Sequence, residues 1–165
     1  MRMFLFAKRN IKEILRDPIN LFFGLGFPLV LLALLSIINS AIPPEAKNTM
    51  FQINNLAPGL TMFGSVFMAL FAGMLLSKDR TSSFLMRLFT SPMTATDFIL
   101  GYSLPMIVMT IVQATITLLV AGAFGLDINI DILFAIIMTA LTSLLFVGTG
   151  LFFGSILNDK AVGGV

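Results

Sequence analysis

The stretch APGLTMFGSVFMALFAGMLLS, residues 57–77, contains no charged side chain, and it decides the fold class of the chain. As a helix that rises about 1.5 Å per residue, it reaches about 30 Å, the thickness of the hydrocarbon core of a bilayer. Backbone groups inside lipid must be satisfied within the protein, and the stretch lacks the alternating pattern of a barrel strand. The stretch therefore predicts a membrane-spanning helix.

Three further runs without a charged residue lie on either side of this stretch, at residues 19–42, 98–124 and 132–157. Apolar residues make up 58% of the 165 positions and charged residues 11%, whereas a soluble domain is about half apolar and a quarter charged. A soluble protein with buried core helices is the competing explanation, and four such runs argue against it. We predict an all-α integral membrane protein with four transmembrane helices in a single domain, residues 1–165.

The positive charges are distributed unevenly between the segments that flank these runs. Nine of the ten Lys and Arg residues fall in the N-terminal segment, the second loop and the C-terminal tail, and Lys47 alone falls in the first loop. Cytoplasmic segments carry the excess of Lys and Arg in membrane proteins. The sequence therefore predicts a multi-pass protein of the cell membrane with both termini and the loop around Arg87 in the cytoplasm. The loops near Lys47 and Asp127 are then external.

Residues 1–17 have an amphipathic pattern. Six apolar residues fall on one helical face, while Leu5 and Phe6 depart from the pattern; the six are Met3, Phe4, Ala7, Ile11, Ile14 and Leu15. The opposite face carries Arg9, Lys12, Glu13 and Arg16. The pattern predicts a helix in the membrane interface, with its apolar side in lipid and its cations toward anionic head groups. A basic flank that only sets the orientation is the alternative.

The stretch DRTSSFLMRLFTSPMTATD, residues 79–97, separates the second span from the third and combines charges with an apolar cluster. Residues 81–91 can form a short amphipathic helix, with Leu85, Leu88 and Phe89 on one side. Ser91 is a suitable N-cap, and Pro92 suits the first turn of the next helix. The residues alone leave two roles equally open, docking to a cytoplasmic protein and resting on lipid.

The sequence lacks the residues of a catalytic or metal site. It has no His and no Cys, which removes thiol chemistry and the usual zinc ligands. It has no glycine-rich phosphate loop ending in Gly-Lys-Ser/Thr, and no span carries the ionisable pair of a proton relay. We expect no enzymatic activity, no metal, no cofactor and no nucleic-acid partner. Energy for uphill transport would have to enter from a separate protein.

Small and polar residues recur at helical spacing within the spans. Two stripes of small residues predict close helix packing, at Ser65, Ala69 and Gly73 and at Gly150 and Gly154. A polar stripe in the third span consists of Ser103, Thr110, Gln113 and Thr117. For this stripe, helix packing and the lining of a translocation path both remain open. Pro28 and Pro105 predict kinks in the first and third spans.

Four motifs in order along the chain resemble the ABC-2 type permeases of ATP-driven exporters. They are RNIKEILRDP at residues 9–18, NNLAPGLTMF at 54–63, DRTSSFLMRLFTSPMTATDFILG at 79–101 and FVGTGLFFGSILNDKAVGG at 146–164. The third motif is similar to the cytoplasmic coupling helix of the family and to the corner that leads into the next span. The N-terminal segment is similar to the connecting helix of these permeases.

The resemblance implies a transmembrane permease subunit that forms a homo- or heterodimer in the bilayer and pairs with a separate cytoplasmic ABC ATPase. The substrate would pass between the two permeases. The resemblance assigns ATPase coupling to Arg80, Phe84, Leu85, Arg87, Leu88 and Phe89. Family members usually have six spans, and we expect the sequence, which ends at Val165 after the fourth, to be a fragment. The alternative function is a non-transporting four-span interaction or scaffold protein.

Overall fold

The computed structural model describes residues 2–43, 49–82, 84–157 and 159–162, and the regular structure within these ranges is entirely helical. Four long helices are α2 (Pro18–Ala41), α3 (Ile53–Thr81), α5 (Ala95–Ala123) and α6 (Ile130–Ile156). Three shorter ones are α1 (Arg2–Arg16), α4 (Phe84–Phe89) and α7 (Asp159–Val162). The long helices are each apolar enough and long enough to cross a membrane, which confirms the all-α fold with four spans.

The helices do not end where the charge-free runs end. Helix α3 continues through Lys78, Asp79 and Arg80, because a charge ends a membrane span but does not end a helix. Helix α5 begins at Ala95, after the N-cap Thr94, whose hydroxyl accepts from the Asp97 backbone N–H at 3.2 Å. The Asp97 carboxylate accepts in turn from the Thr94 backbone N–H, which completes a capping box.

The prediction of Ser91 as the N-cap of this helix is therefore wrong. The Ser91 hydroxyl donates to the carbonyl of Leu88 at 2.6 Å and so belongs to the turn that follows α4. The capping box three residues later satisfies two backbone donors and fixes the start of α5 there.

The four spans alternate in direction around α3, which contacts α2, α5 and α6. The last turn of α3, the first turns of α5, and α1 and α4 lie together, and we call this the basic end. The turn at residues 124–129 lies at the other end, which we call the acidic end because Asp127 and Asp131 lie there. Gly125 has a φ of 99° in this turn, a conformation that favours glycine.

Helices α3 and α6 run parallel and approach closely through small residues. A Cβ atom added to Gly150 would overlap the Ala69 carbonyl, and one added to Gly154 would overlap the Gly73 carbonyl. Ser65 is also fully buried on α3. The structure thus brings the two predicted small-residue stripes together within one chain, where the missing side chains allow backbone-to-backbone contact.

The end of α6 is held by side chains of α3. The Arg80 guanidinium donates to the carbonyls of Ser155, Ile156 and Leu157, with the Leu157 contact at 2.7 Å. The Ser77 hydroxyl donates to the Leu157 carbonyl at 3.0 Å. The last carbonyls of a helix lack intrahelical partners and carry partial negative charge, so these donors cap α6.

Helix α2 meets α3 through a ladder of five phenylalanine rings. Phe23 of α2 stacks on Phe67 of α3 at a centroid distance of 5.8 Å. Phe27 meets Phe67 edge-on at 5.7 Å and lies tilted to Phe63 at 6.2 Å, and Phe71 extends the row. Residues Phe22–Gly26 form a π-helical turn just before Pro28. Because proline lacks the N–H that an α-helix needs, the wider π-helical turn is the local adjustment of the backbone to Pro28, and the kink stays a prediction.

Candidate functional site

Helix α1 packs onto the bundle through one face. Phe6, Ala7, Asn10 and Ile14 are buried, whereas Phe4 is 68% exposed. The expectation that the apolar side of this helix lies in lipid is therefore incomplete, since much of that side is covered by the protein. The buried face of α1 includes Phe6 and Asn10, which lie outside the predicted apolar face, because both side chains contact other helices of the bundle.

Phe6, which departs from the amphipathic pattern in the sequence, is the centre of an aromatic cluster. Its ring meets Tyr102 edge-on at a centroid distance of 4.9 Å and stacks on Phe84 and Phe98 at 6.3 Å each. A Cβ atom added to Gly101 would overlap the Phe6 ring. The absence of a side chain at Gly101 therefore lets α1 approach α5.

Asp79 is 2% exposed and anchors a polar network below this cluster. The Arg9 guanidinium donates to both of its carboxylate oxygens, at 2.5 and 2.9 Å. The Tyr102 hydroxyl donates to Asp79 Oδ2 at 2.7 Å. This bidentate pair with an added hydroxyl satisfies most of the acceptor capacity that a buried carboxylate requires. We call Arg9, Asp79 and Tyr102 the Arg9–Asp79 network.

Arg9 makes two further contacts that extend the network. Its guanidinium pairs with Glu13 at 2.6 Å on the same helix and lies 4.1 Å above the Phe84 ring of α4. Partial burial by itself lowers the pKa of Arg9, but the hydrogen bonds and charge of Asp79, with the charge of Glu13, raise the pKa above its ordinary value. Arg9 therefore stays charged, and one side chain connects α1, α3 and α4.

A buried hydrogen bond adds a second link between α1 and α5. Asn10 is fully buried, and its Nδ2 donates to the Gly101 carbonyl at 2.9 Å. With Tyr102 bound to Asp79, helix α5 is fastened to both α1 and α3 at the basic end. Helix α1 thus meets α3, α4 and α5, which follow it by more than 35 residues in the chain.

Helix α4 presents two different surfaces. Leu85 is buried, and Phe84 and Leu88 pack against the same core. Met86 is 77% exposed, and Arg87 is exposed beside it. Phe89 was predicted to contribute here, and its side chain lies outside the part of the chain that the structure describes. Arg80, also predicted for this site, donates to the end of α6, and its role in coupling stays a prediction.

The polar stripe of α5 faces the interior of the bundle. Thr110, Gln113 and Thr117 are fully buried, and Gln113 Nε2 donates to Thr117 Oγ1 at 3.2 Å. Gly64 of α3 makes room for the amide, because a Cβ there would lie 2.5 Å from Gln113 Cδ. Ser103 is half-buried and donates to the Ile99 carbonyl at 2.9 Å. The burial favours packing, and a role in a translocation path stays a prediction.

The sequence interpretation missed the residues that hold the basic end together. Arg9 and Asp79 are 70 positions apart in the chain. Charged residues are common at the ends of membrane spans, so their presence there did not indicate an ion pair. One signal was available: Tyr102 is the sole tyrosine of the chain, and a hydroxyl inside a charge-free run requires a polar partner.

The site contains no cluster of metal ligands within the described ranges. No cluster of His, Cys, Asp or Glu that could hold a metal ion occurs among those residues. The arrangement connects α1, α3, α4 and α5 mechanically, because ion pairs, ring contacts and hydrogen bonds join these four helices.

Comparison with known protein families gives a match to the ABC-2 type transporter over residues 1–165. No curated protein and no solved structure matches the chain. The match extends over all four spans, α1 and α4. The chain therefore belongs to the ABC-2 type transporter family and is a multi-pass membrane permease.

Proposed function

We propose that the chain is the permease subunit of an ATP-driven exporter and that α4 docks onto a separate cytoplasmic ABC ATPase. The observation that carries the proposal is the two-sided character of α4. Phe84 and Leu85 anchor the helix on the bundle, while Met86 and Arg87 face outward with no covering element among the described residues. An exposed apolar side chain beside a cation at a helix surface suits a protein partner.

The charge distribution supports a cytoplasmic location for this surface. Nine of the ten cations fall in the segments at the basic end or in the C-terminal tail, and cytoplasmic segments carry such an excess. The proposal therefore includes cytoplasmic termini and a location in the cell membrane. A soluble ATPase would then reach α4 directly.

The Arg9–Asp79 network supports a mechanical role for α4. A displacement of α4 would move the Phe84 ring from beneath Arg9 and Leu85 from its buried site. Arg9 joins α1 to α3, and Asp79 joins α3 to α5 through Tyr102. Movement imposed by ATP binding or hydrolysis in the partner would thereby reach three further helices.

The outer surfaces of the bundle support assembly with a second permease, identical or homologous. The most apolar windows of α2 and α6 are each only 17% buried, so both present long apolar faces. Lipid or another permease can cover such faces. We propose that the substrate crosses the membrane between two permeases, outward as in exporters of the family.

Docking can be tested by co-purification with an ABC ATPase of the same cells. Met86→Asp places a charge on the exposed face of α4 and should abolish co-purification. Ile128→Asp is the matched control, because Ile128 is 70% exposed at the acidic end. It should leave the ATPase bound. Leu85→Asp is unsuited to this purpose, since a buried charge destabilises the fold itself.

Retention of the ATPase by Met86→Asp and by Arg87→Glu would exclude docking through this face of α4. Loss of the ATPase in Ile128→Asp would show that any added surface charge disrupts the complex. Either result would contradict the proposal, provided that each variant elutes from size exclusion as the wild type does.

A further inference from the structure

A crevice of about 480 Å³ opens at the basic end, away from α4. The last turn of α1, the first turn of α2 and the last two turns of α3 form its walls. Its volume lies within the range of about 300–1,000 Å³ that is usual for ligand sites. Neither the permease function nor the Arg9–Asp79 network requires this space.

The crevice contains two cations and two carboxylates. Arg16 and Lys78 supply the positive charges, and Glu13 and Asp17 supply the negative charges. Their sum is zero, which distinguishes the crevice from the outer face of α1 with its exposed Lys8 and Lys12. A purely anionic ligand would meet two carboxylates in the crevice, and a purely cationic one would meet two cations.

The four charged groups differ in the hydrogen bonds and ion pairs that they already make within the protein. Asp17 accepts from the backbone N–H groups of Ile19 and Asn20 at 3.0 and 3.3 Å, and Glu13 pairs with Arg9. Lys78 is 65% exposed and lies 3.5 Å from Glu13. Arg16 makes no ion pair with any described residue, so its guanidinium is the donor most available to an anionic group.

The apolar part of the crevice lies on the membrane side. Met74 and Leu75 come one turn before Lys78 on α3, and Pro18 starts the first span. The crevice thus extends across the boundary between charged and charge-free sequence. In a bilayer this boundary coincides with the level of the lipid head groups.

We propose that the crevice binds a zwitterionic phospholipid whose head group ends in a primary ammonium, phosphatidylethanolamine. The phosphate binds the Arg16 guanidinium and Lys78. The ammonium donates to the carboxylates of Asp17 and Glu13, which retain free acceptor lone pairs. An acyl chain lies along Met74 and Leu75. Phosphatidylglycerol lacks the ammonium, and the trimethylammonium of phosphatidylcholine cannot donate a hydrogen bond.

The proposal can be tested by native mass spectrometry of the purified protein, incubated with equal amounts of three lipids that share the same acyl chains. Phosphatidylethanolamine adducts should exceed those of phosphatidylcholine and phosphatidylglycerol by about fivefold, the scale of one exposed ion pair. Glu13→Gln and Asp17→Asn, which keeps an oxygen for the N-cap of α2, should each reduce this preference because they weaken the contact with the ammonium. Arg16→Gln should lower the binding of all three lipids, because each of them carries the phosphate. Lys12→Gln, a change of an exposed cation outside the crevice, should leave the preference unchanged.

Equal retention of the three lipids by the wild-type protein would overturn the proposal. Preference for phosphatidylglycerol would overturn it as well and would assign lipid binding to the outer cations of α1. The proposal would also fail if Glu13→Gln and Asp17→Asn, both eluting as monodisperse protein, kept the wild-type preference.

Discussion

Asp79 is a carboxylate buried at the end of a membrane span, with partners on two other helices. Removing one member of a buried ion pair leaves the other uncompensated, whereas removing both charges together is less harmful. The side chain of Arg9 is 34% exposed and also contacts Glu13, so solvent and Glu13 compensate part of the loss. The pair therefore contributes less to stability than a fully buried pair would.

We expect Asp79→Asn to lower the free energy of unfolding by about 2 kcal/mol and the thermal midpoint by roughly 5 °C. The double variant Arg9→Gln, Asp79→Asn should recover part of this loss, because no unpaired charge remains. The chain has no tryptophan, so unfolding in detergent micelles is best followed by far-ultraviolet circular dichroism.

Lys12→Gln is the control for this experiment, because it removes an exposed cation of the same helix. Its thermal midpoint of unfolding should equal that of the wild type. A midpoint for Asp79→Asn equal to that of the wild type would contradict the structural importance of the network, as would a double variant that is less stable than the single one.

Single residues were the hardest part of the structure to predict from the sequence. Phe6 interrupts the amphipathic pattern, yet it lies at the centre of the aromatic cluster. Periodicity reports which face of a helix is apolar, but it does not report which neighbour covers that face. The resemblance assigned Arg80 to ATPase coupling, which stays a prediction. That Arg80 also caps α6 could not be predicted, because the carbonyls that accept from it lie at a helix end 75 positions away.

At the scale of helices, the spans could be predicted well because a single physical quantity, the thickness of the bilayer, sets their length. Each of the four charge-free runs corresponds to a long helix, although the helices extend past the runs where charged residues continue the turn. The short helix α4 lies within the predicted segment 81–91. The turn before α5 was assigned wrongly, because Ser91 and Thr94 were both possible N-caps and only the capping box of Thr94 with Asp97 decides between them.

The pairing of α3 with α6 gives a prediction in which two glycines of the same helix behave differently. Gly150→Ala should destabilise the protein by about 1–3 kcal/mol, because its Cβ would meet the Ala69 backbone, which cannot move aside. Gly148→Ala should be neutral or stabilising by up to about 1 kcal/mol, since no atom lies within 4 Å and alanine favours the helix. Thermal midpoints in detergent compare the two, and equal midpoints would refute the close approach of α3 and α6.

At the scale of the whole molecule, the bundle has two ends of different character. Met86 and Ile128 are strongly exposed and lie at the basic and the acidic end, respectively. The chain contains no cysteine, so a single introduced thiol reports on one position alone. The sidedness that the positive charges predict can therefore be measured directly.

A membrane-impermeant maleimide should label Ile128→Cys in intact cells and Met86→Cys after the membrane has been opened. The two variants are controls for each other, because both thiols are exposed and differ in the end that they occupy. Labelling of Met86→Cys in intact cells, with Ile128→Cys protected, would invert the topology and remove the route from a cytoplasmic ATPase to α4.

The phenylalanine ladder between α2 and α3 differs in kind from the contacts that join the other spans. Helices α3 and α6 are locked by backbone contact and by the donors of Arg80, and α5 is held to α3 by the carboxylate of Asp79. No hydrogen bond or ion pair of this kind joins α2 to α3 among the described residues, and the dispersion between their rings is the sum of many small atom–atom contributions. Among the described residues, the first span is therefore joined to α3 by ring and van der Waals contacts alone, and a shift of its rings past Phe63 and Phe67 would break no polar contact between these two helices.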